Sequence, residues 1–386
     1  MRKNTAFLII ALLFFWGCSA PKEQGTKKVI DDILKSALQN ENFFVRSAAA
    51  KAIGEMGDPK YVPLLIPMLK DPMAFVRLFT AESIAQLRGP DTLRLLLAVG
   101  GDSDPMVKIA VVKALDDLAK ENGKIDGLPI EKILDSFTKD HDATVLLFAK
   151  AALAKRGNEK MFLDIQDALR NEDAIAPAVV ALGRTKLVNA VPILTKTSQN
   201  ADSTLRLFSA EALGEIGSSS AFMPLVALTK DKEGSVRSSA ATSLGKIAEK
   251  NAIPILEGLL KDTEISVQLS AAEGLARYGK NRFDIYEKAM ENADYGVRHS
   301  AIGSLQKLWG TTPGGISGLV GPLKKEAVPI LMKALSDKSQ RVRIAAVRAI
   351  GAMSGPEAIP ILQPILHDAD LSVRAYAAGN LGRWIR

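Results

Sequence analysis

The chain has 386 residues, of which 47% are hydrophobic and only 5% aromatic. That length exceeds what one hydrophobic core serves, and the aromatic-poor mixture suits Ala, Leu, Ile and Val packed between thin helices. The formal charge of +7 is spread without a run of Lys or Arg, which argues against nucleic acid, and the single cysteine, Cys18, excludes an intrachain disulfide.

The N-terminus reads as an export signal. Arg2 and Lys3 precede an apolar run from Ala6 to Trp16, too short for a comfortable membrane span. The run leads into Phe15-Trp16-Gly17-Cys18-Ser19. Gly17 and Cys18 match the end of a lipobox; Phe15 and Trp16 depart from its usual Leu and small residue. The segment resembles a bacterial lipoprotein signal. The resemblance implies removal of residues 1–17, lipid attachment at Cys18 and a place in the cell envelope. Ser19 after the cysteine implies the periplasmic face of the outer membrane. Residues 18–28 then form the lipidated Cys and a polar tether. Ten such residues reach at most roughly 35 Å.

From residue 29 onward the chain repeats itself. The anchor Val-Arg occurs at Val45-Arg46, Val76-Arg77, Val236-Arg237, Val297-Arg298, Val342-Arg343 and Val373-Arg374, usually with a step of 31 residues. Variants at Val107-Lys108, Val145-Leu146, Ala174-Ile175, Leu205-Arg206 and Val267-Gln268 bring the number of repeats to eleven. Counting from the anchor's first residue, offset 8 is always Leu or Ile, offset 4 is nearly always small, and Gly often stands at offset 9. Offsets 0, 4 and 8 lie on one helical face. Five residues before the anchor, all repeats but the fifth carry Asp or Asn, expected in the turn entering a second helix. Pro63, Pro192, Pro254, Pro329 and Pro360 suit the first turn of a first helix.

Residues 231–245, DKEGSVRSSAATSLG, show the unit most clearly. The pattern Asp-x4-Val-Arg-x2-Ala-Ala-x2-Leu-Gly resembles the HEAT family, in its short form named after the phycobilisome lyases. The resemblance covers about 29–386. It implies an all-α, right-handed α-solenoid of about eleven helix-turn-helix repeats without β-strands. Such a stack would form a curved rod on the order of 100 Å long with a long concave face. Insertions fall near 120–128 and at 310–322, the latter Gly-rich and read as either a flexible or a contact loop. The final helix leaves Trp384 and Ile385, which either fold back on their own repeat or form an exposed patch.

Function follows from what the columns lack. The repeated Asp and Arg read as inter-repeat ladders, since a catalytic pair would occur once. His141 and His367 fall in turns, without ligand spacing, and no cofactor or metal is expected. The HEAT-like deoxyhypusine hydroxylase uses His-Glu pairs, and this sequence has no His-Glu dipeptide. The apolar residues at offset 2 (Leu78, Ile109, Leu147, Leu207, Leu269 and Ile344) either pack between repeats or line a binding groove, joined there by offsets 6 and 10. The expected role is a membrane-anchored scaffold or a protein- or peptide-binding module, not an enzyme. The alternatives are a lyase-like or oxidoreductase-like enzyme or accessory, and a structural spacer.

Overall fold

A computed structural model of the chain describes residues 23–119, 124–125, 128–247, 249–309, 320–352 and 355–385. The leader, Cys18 and residues 310–319 of the Gly-rich insertion lie outside the described residues. Among the described residues, twenty-two α-helices alternate between two roles. The first helix of each repeat is α1 (Glu23–Leu38), α3 (Val62–Leu65), α5 (Thr92–Ala98), α7 (Ile130–Phe137), α9 (Glu159–Ala168), α11 (Val191–Thr197), α13 (Phe222–Leu228), α15 (Ala252–Leu259), α17 (Phe283–Met290), α19 (Val320–Leu335) or α21 (Ile359–Leu362). The second is α2 (Phe43–Met56), α4 (Ala74–Leu87), α6 (Pro105–Leu118), α8 (Ala143–Ala154), α10 (Ile175–Thr185), α12 (Ser203–Ile216), α14 (Gly234–Lys246), α16 (Ile265–Ala276), α18 (Tyr295–Trp309), α20 (Gln340–Ala352) or α22 (Leu371–Gly382).

The first helices are short where prolines interrupt them. Around α3, Pro63 and Pro67 each remove a backbone donor, and the segment divides into 3-10 turns at Pro59–Tyr61 and Ile66–Lys70 flanking one α-turn. Pro329 is an exception to the expected place in a first turn. Helix α19 starts at Val320, inside the insertion, so Pro329 lies in its interior. Helix α1 likewise begins at Glu23, within the expected tether, because its Glu, Gln and Lys favour helix and Ile30 and Leu34 bury its inner face. The only strands among the described residues are β1 (Lys124–Ile125) and β2 (Leu128–Pro129), a two-residue antiparallel pair inside the first insertion. They depart from the expectation of no strand, yet sit between repeats and leave the repeat pattern intact.

The Asp/Asn column has one role in all eleven repeats. Its side chain accepts the backbone N–H two residues on, at 2.8–3.0 Å, from Asn40 to Asp368. In repeat five this residue is Asn171, three before the anchor, because the turn is shortened there. A second role depends on the neighbour. Arg46, Arg77, Arg206, Arg237, Arg298 and Arg343 each grip the Asp of the next repeat with two hydrogen bonds, Nε at 2.6–2.8 Å and Nη2 at 2.8–2.9 Å. Lys108 does the same to Asp140. Each of these Arg side chains also donates Nη1 to carbonyls of its own turn, as Arg46 does to Asn40 and Glu41. Where the preceding repeat offers Leu146, Ile175 or Gln268 instead, the facing residue is Asn171, Asn200 or Asn292. A buried carboxylate is thus present only where a cation meets it.

Second helices pack on one another in sequence at very short range. A Cβ on Gly54 would lie 2.6 Å from Ser83 Oγ, one on Gly183 2.6 Å from Ala212 Cα, and one on Gly245 2.6 Å from Gly274 Cα. Offset 9 of one helix therefore rests on offset 7 of the next, and nothing larger than hydrogen fits. First helices pack on each other far less. Tight inner and loose outer spacing curves the stack, and here the curvature closes it. Helix α22 packs on α2 as closely as α2 packs on α4, and also contacts α1. Across this seam Arg348 pairs with Glu55 at 2.6 Å, and Arg383 donates to the carbonyls of Glu55 and Gly351.

The protein is therefore a closed ring, not the open rod expected from the sequence. Eleven repeats share a full turn, about 33° each. The C-terminus is correspondingly no unfinished surface. Gly379 meets Ala52, Gly382 meets Met56, Trp384 is half-buried and Ile385 packs on the core. The seam differs from the other junctions in register. Offset 6, not 9, of α22 faces offset 7 of α2, while offset 9 faces offset 11, a slip of about one helical turn, roughly 5 Å. The ladder is interrupted at the same place: Arg374 bonds only its own turn, at Asp368 and Ala369, and the next residue in the column is the uncharged Asn40.

Candidate binding lumen

The second helices line the hole of the ring. A continuous cavity of about 880 Å³ is bordered by residues of seven successive second helices, from Lys113 on α6 to Lys307 on α18. The lining positions repeat at offsets −1, 2, 3, 6, 7 and 10. This is the stripe left when offsets 0, 4 and 8 turn to the first helices.

The wall changes chemistry around the ring. On α8 to α12 it presents Phe148, Val180, Leu207 and Phe208, with the Arg184 guanidinium 4.8 Å above the Phe148 ring. On α14 to α18 the equivalent positions carry Ser235, Ser238, Ser239, Thr242, Ser266, Ser270, Ser300 and Ser304. Ser is a poorer helix former than Ala or Leu, so folding alone does not favour this arc. Ser238 and Ser270 bond each other across α14 and α16 at 2.7 Å. On α2 and α4 the matching offsets are aromatic. Phe44 and Phe75 at offset −1 are exposed at the rim, and Phe75 stacks edge-on against Phe79 at 4.6 Å.

Both signs of charge line the cavity, with Lys113, Arg184, Lys246 and Lys307 set among the carboxylates. Glu211, Glu215, Glu264 and Glu273 lie on α12 and α16 and the turn between α15 and α16. Burial pushes the Glu211 carboxyl above its usual range, with Lys246 opposing and Glu215 adding to the effect. Glu273 is 2% exposed; Lys307 reaches its Oε2 at 3.1 Å, and its Oε1 has no hydrogen-bond partner among the described residues, with Arg277 Nη2 3.8 Å away. Further round, His299, Arg341, Arg348 and Lys51 are cations or potential cations. Burial, then Arg341 and Arg348, hold the His299 imidazole below its usual range. Burial and Arg348 do the same to the Lys51 ammonium, against Glu55 and Glu82.

The sequence-derived contact residues divide. Leu78, Ile109, Leu147 and Leu269 are buried between repeats, and Leu207 and Ile344 are half-buried against the same core. Offset 2 lies on the boundary between inter-repeat packing and lumen, so only Leu207 and Leu269 of these six also border the cavity. Offsets 6 and 10 do line it, through Lys113, Val180, Arg184, Glu211, Glu215, Thr242, Lys246, Glu273 and Lys307. Offsets −1, 3 and 7 were missed. Their signal was present as columns rich in Ser, Phe and Ala just beside the repeated apolar face, but their direction depends on how tightly the ring curves. His141 and His367 are exposed in turns, and Cys18 lies outside the described residues. No described helix is long and apolar enough to cross a membrane.

Known proteins place this architecture. The HEAT-repeat sequence profile matches residues 18–78, 192–276 and 288–382, together more than half of the chain. No curated protein matches. Among solved structures, the chain is similar to an engineered protein, at 20% identity over 93% of this chain and 98% of that one (TM-score 0.31). It is similar to human deoxyhypusine hydroxylase in complex with glycerol, at 19% over 66% and 98% (TM-score 0.31). It is also similar to the CpcE–CpcF complex of phycocyanin lyase from Nostoc sp. PCC7120, at 17% over 68% and 96% (TM-score 0.42). With its profile match and eleven helix-turn-helix units, the chain belongs to the HEAT-repeat family.

Proposed function

We propose that this protein is a lipid-anchored, non-enzymatic binding module of the bacterial cell envelope, and that its lumen holds a segment of a protein partner. The observation that carries the reading is the continuous lumen wall. Eleven inner helices at about 8–9 Å spacing form a ring of axes roughly 30 Å across, which leaves an opening of about 15–20 Å inside the side chains. A single helix or an extended strand fits; a folded 100-residue domain, with a radius of gyration near 13 Å, does not. The aromatic wall suits apolar side chains of such a segment, and the serine arc suits its backbone N–H and C=O groups, because a hydroxyl both donates and accepts.

Two experiments test the two halves. A photo-cross-linking residue at Ser239, in the lumen, should couple to a polypeptide in intact cells, whereas one at Met223, exposed on the outside, should not. Equal labelling at both positions would remove the lumen from the account. The anchor rests on the leader and Cys18: Cys18→Ala should shift the protein from the membrane to the soluble fraction. A Cys18→Ala protein that stays with the membrane after its leader is cut off refutes lipid attachment.

A further inference from the structure

The backbone itself crosses every junction of the ring except the seam. There α22 of the last repeat meets α1 and α2 of the first, and no described loop joins them. In a ring this difference has a consequence for what the lumen can hold. A segment without a free end, such as a loop of a larger protein, lies inside a closed circle of chain. It enters or leaves only where the backbone does not complete that circle. Separating any other two neighbours still leaves their connecting loop across the gap.

The seam also lacks the ladder that ties most repeats together. Seven internal junctions carry it, each with a cation at offset 1 bonded twice to the Asp of the next repeat. Three do not, after Leu146, Ile175 and Gln268, and there the connecting loop still links the neighbours. The seam has neither tie. Arg374 turns to the carbonyls of Asp368 and Ala369 in its own repeat, and Asn40 offers it no carboxylate. The slip of about one helical turn keeps the two columns out of register. An ion pair of Arg348 Nη2 with Glu55 Oε1, at 2.6 Å, joins α20 to α2 instead. Arg383 donates to backbone oxygens, those of Gly351 and Glu55.

We propose that the seam is a lateral gate: repeat eleven parts from repeat one, admits an internal segment of a protein partner to the lumen, and closes behind it. The proposal rests on the lumen reading above. It requires the free ring to open at the seam before any other junction loosens.

The first test needs no partner. Spin labels at Glu41→Cys and Ala369→Cys flank the seam. Labels at Lys232→Cys and Thr263→Cys take the equivalent places at a laddered junction, where Arg237 grips Asp262, and all four sites are exposed. Cys18 is replaced by Ser in both proteins. In urea below the unfolding midpoint, pulsed electron resonance should show a second, long-distance population for the seam pair and none for the control pair. Glu55→Gln leaves Arg348 without its carboxylate and should enlarge that population at least threefold. Equal broadening of both pairs, or a seam population that Glu55→Gln leaves unchanged, overturns the gate.

The second test locks the seam. A Cβ on residue 382 would lie 3.3 Å from Met56 Cγ, the place a cysteine sulfur would take, so Met56→Cys with Gly382→Cys puts a disulfide across the junction. Combined with the photo-cross-linking residue at Ser239, the locked protein should lose its polypeptide adduct at least tenfold in intact cells. Either cysteine variant alone should retain the adduct. The purified locked protein should melt no lower than the single variants, which separates a closed gate from a damaged fold. An undiminished adduct from the locked protein means that the segment threads by a free end, and refutes the gate while keeping the lumen. No adduct from any of the three proteins removes the lumen, and the gate with it.

Discussion

At the scale of single residues, the Asp/Asn column carries two separable energies. Asp231 caps its own turn through the Glu233 N–H and accepts two bonds from Arg206, and both side chains are about nine-tenths buried. Asp231→Ala removes cap and counter-ion together and strands a buried guanidinium, which should cost on the order of 3 kcal/mol. Asn40→Ala removes only a cap and should cost about 1 kcal/mol. Midpoints of urea unfolding monitored by circular dichroism compare the two; equal losses would deny the ladder its separate contribution. The ladder also sets a pH dependence. The Arg side chains, more than burial opposes, hold the carboxyls of Asp102, Asp231, Asp262 and Asp337 below the usual range. A depressed folded pKa means stability that is complete above the unfolded value near 4 and lost as pH falls through the folded values. Thermal midpoints should hold level from pH 7 to about 5 and then fall. Variants with Asn at these four positions should show a shallower fall. The column itself was legible in the sequence. The rule that Asp faces a cation and Asn faces Leu, Ile or Gln was written there too, but reading it requires knowing that offset 1 of one repeat meets offset −5 of the next.

At the scale of elements, the helix pairs, their order and their turns were readable because local signals agreed: capping residues, proline in first helices and a small-residue face. The curvature was not. It resides in contacts between second helices at offsets 9 and 7, where a single missing Cβ decides the spacing. Gly245 makes the point, with an added Cβ falling 2.6 Å from the Gly274 backbone. Gly245→Val should force α14 and α16 apart and destabilise the protein by about 1–3 kcal/mol. Gly258, on the outer helix α15 with open space around its Cα, is the control: Gly258→Ala should be neutral or slightly stabilising. Similar losses in the two variants would mean that helix propensity, not close approach, governs the glycine column. The offset-2 residues illustrate the same limit. In an open rod they could have lined a groove; with helices this close, most are enclosed by the neighbouring repeat.

At the scale of the whole molecule, closure converts a concave surface into a lumen and joins the two ends of the chain. Among the described repeats, the seam is the junction that the chain does not itself bridge; the ladder is absent there and Glu55 receives Arg348 and Arg383 from repeats ten and eleven. No sequence pattern announced this, since it depends on a small rotation summed over eleven repeats. A few degrees fewer in each would leave the ends apart. The measurement that tests closure most directly is a pulsed electron-resonance distance between spin labels at Glu41→Cys and Ala369→Cys, with Cys18 replaced by Ser. Both sites are exposed in the turns of the first and last repeats. Adjacent repeats across a closed seam put the labels within about 30 Å of each other, whereas the ends of an open stack of eleven lie beyond about 80 Å. A single distribution at the short distance is the result expected of the ring; a distribution centred at the long one would contradict it.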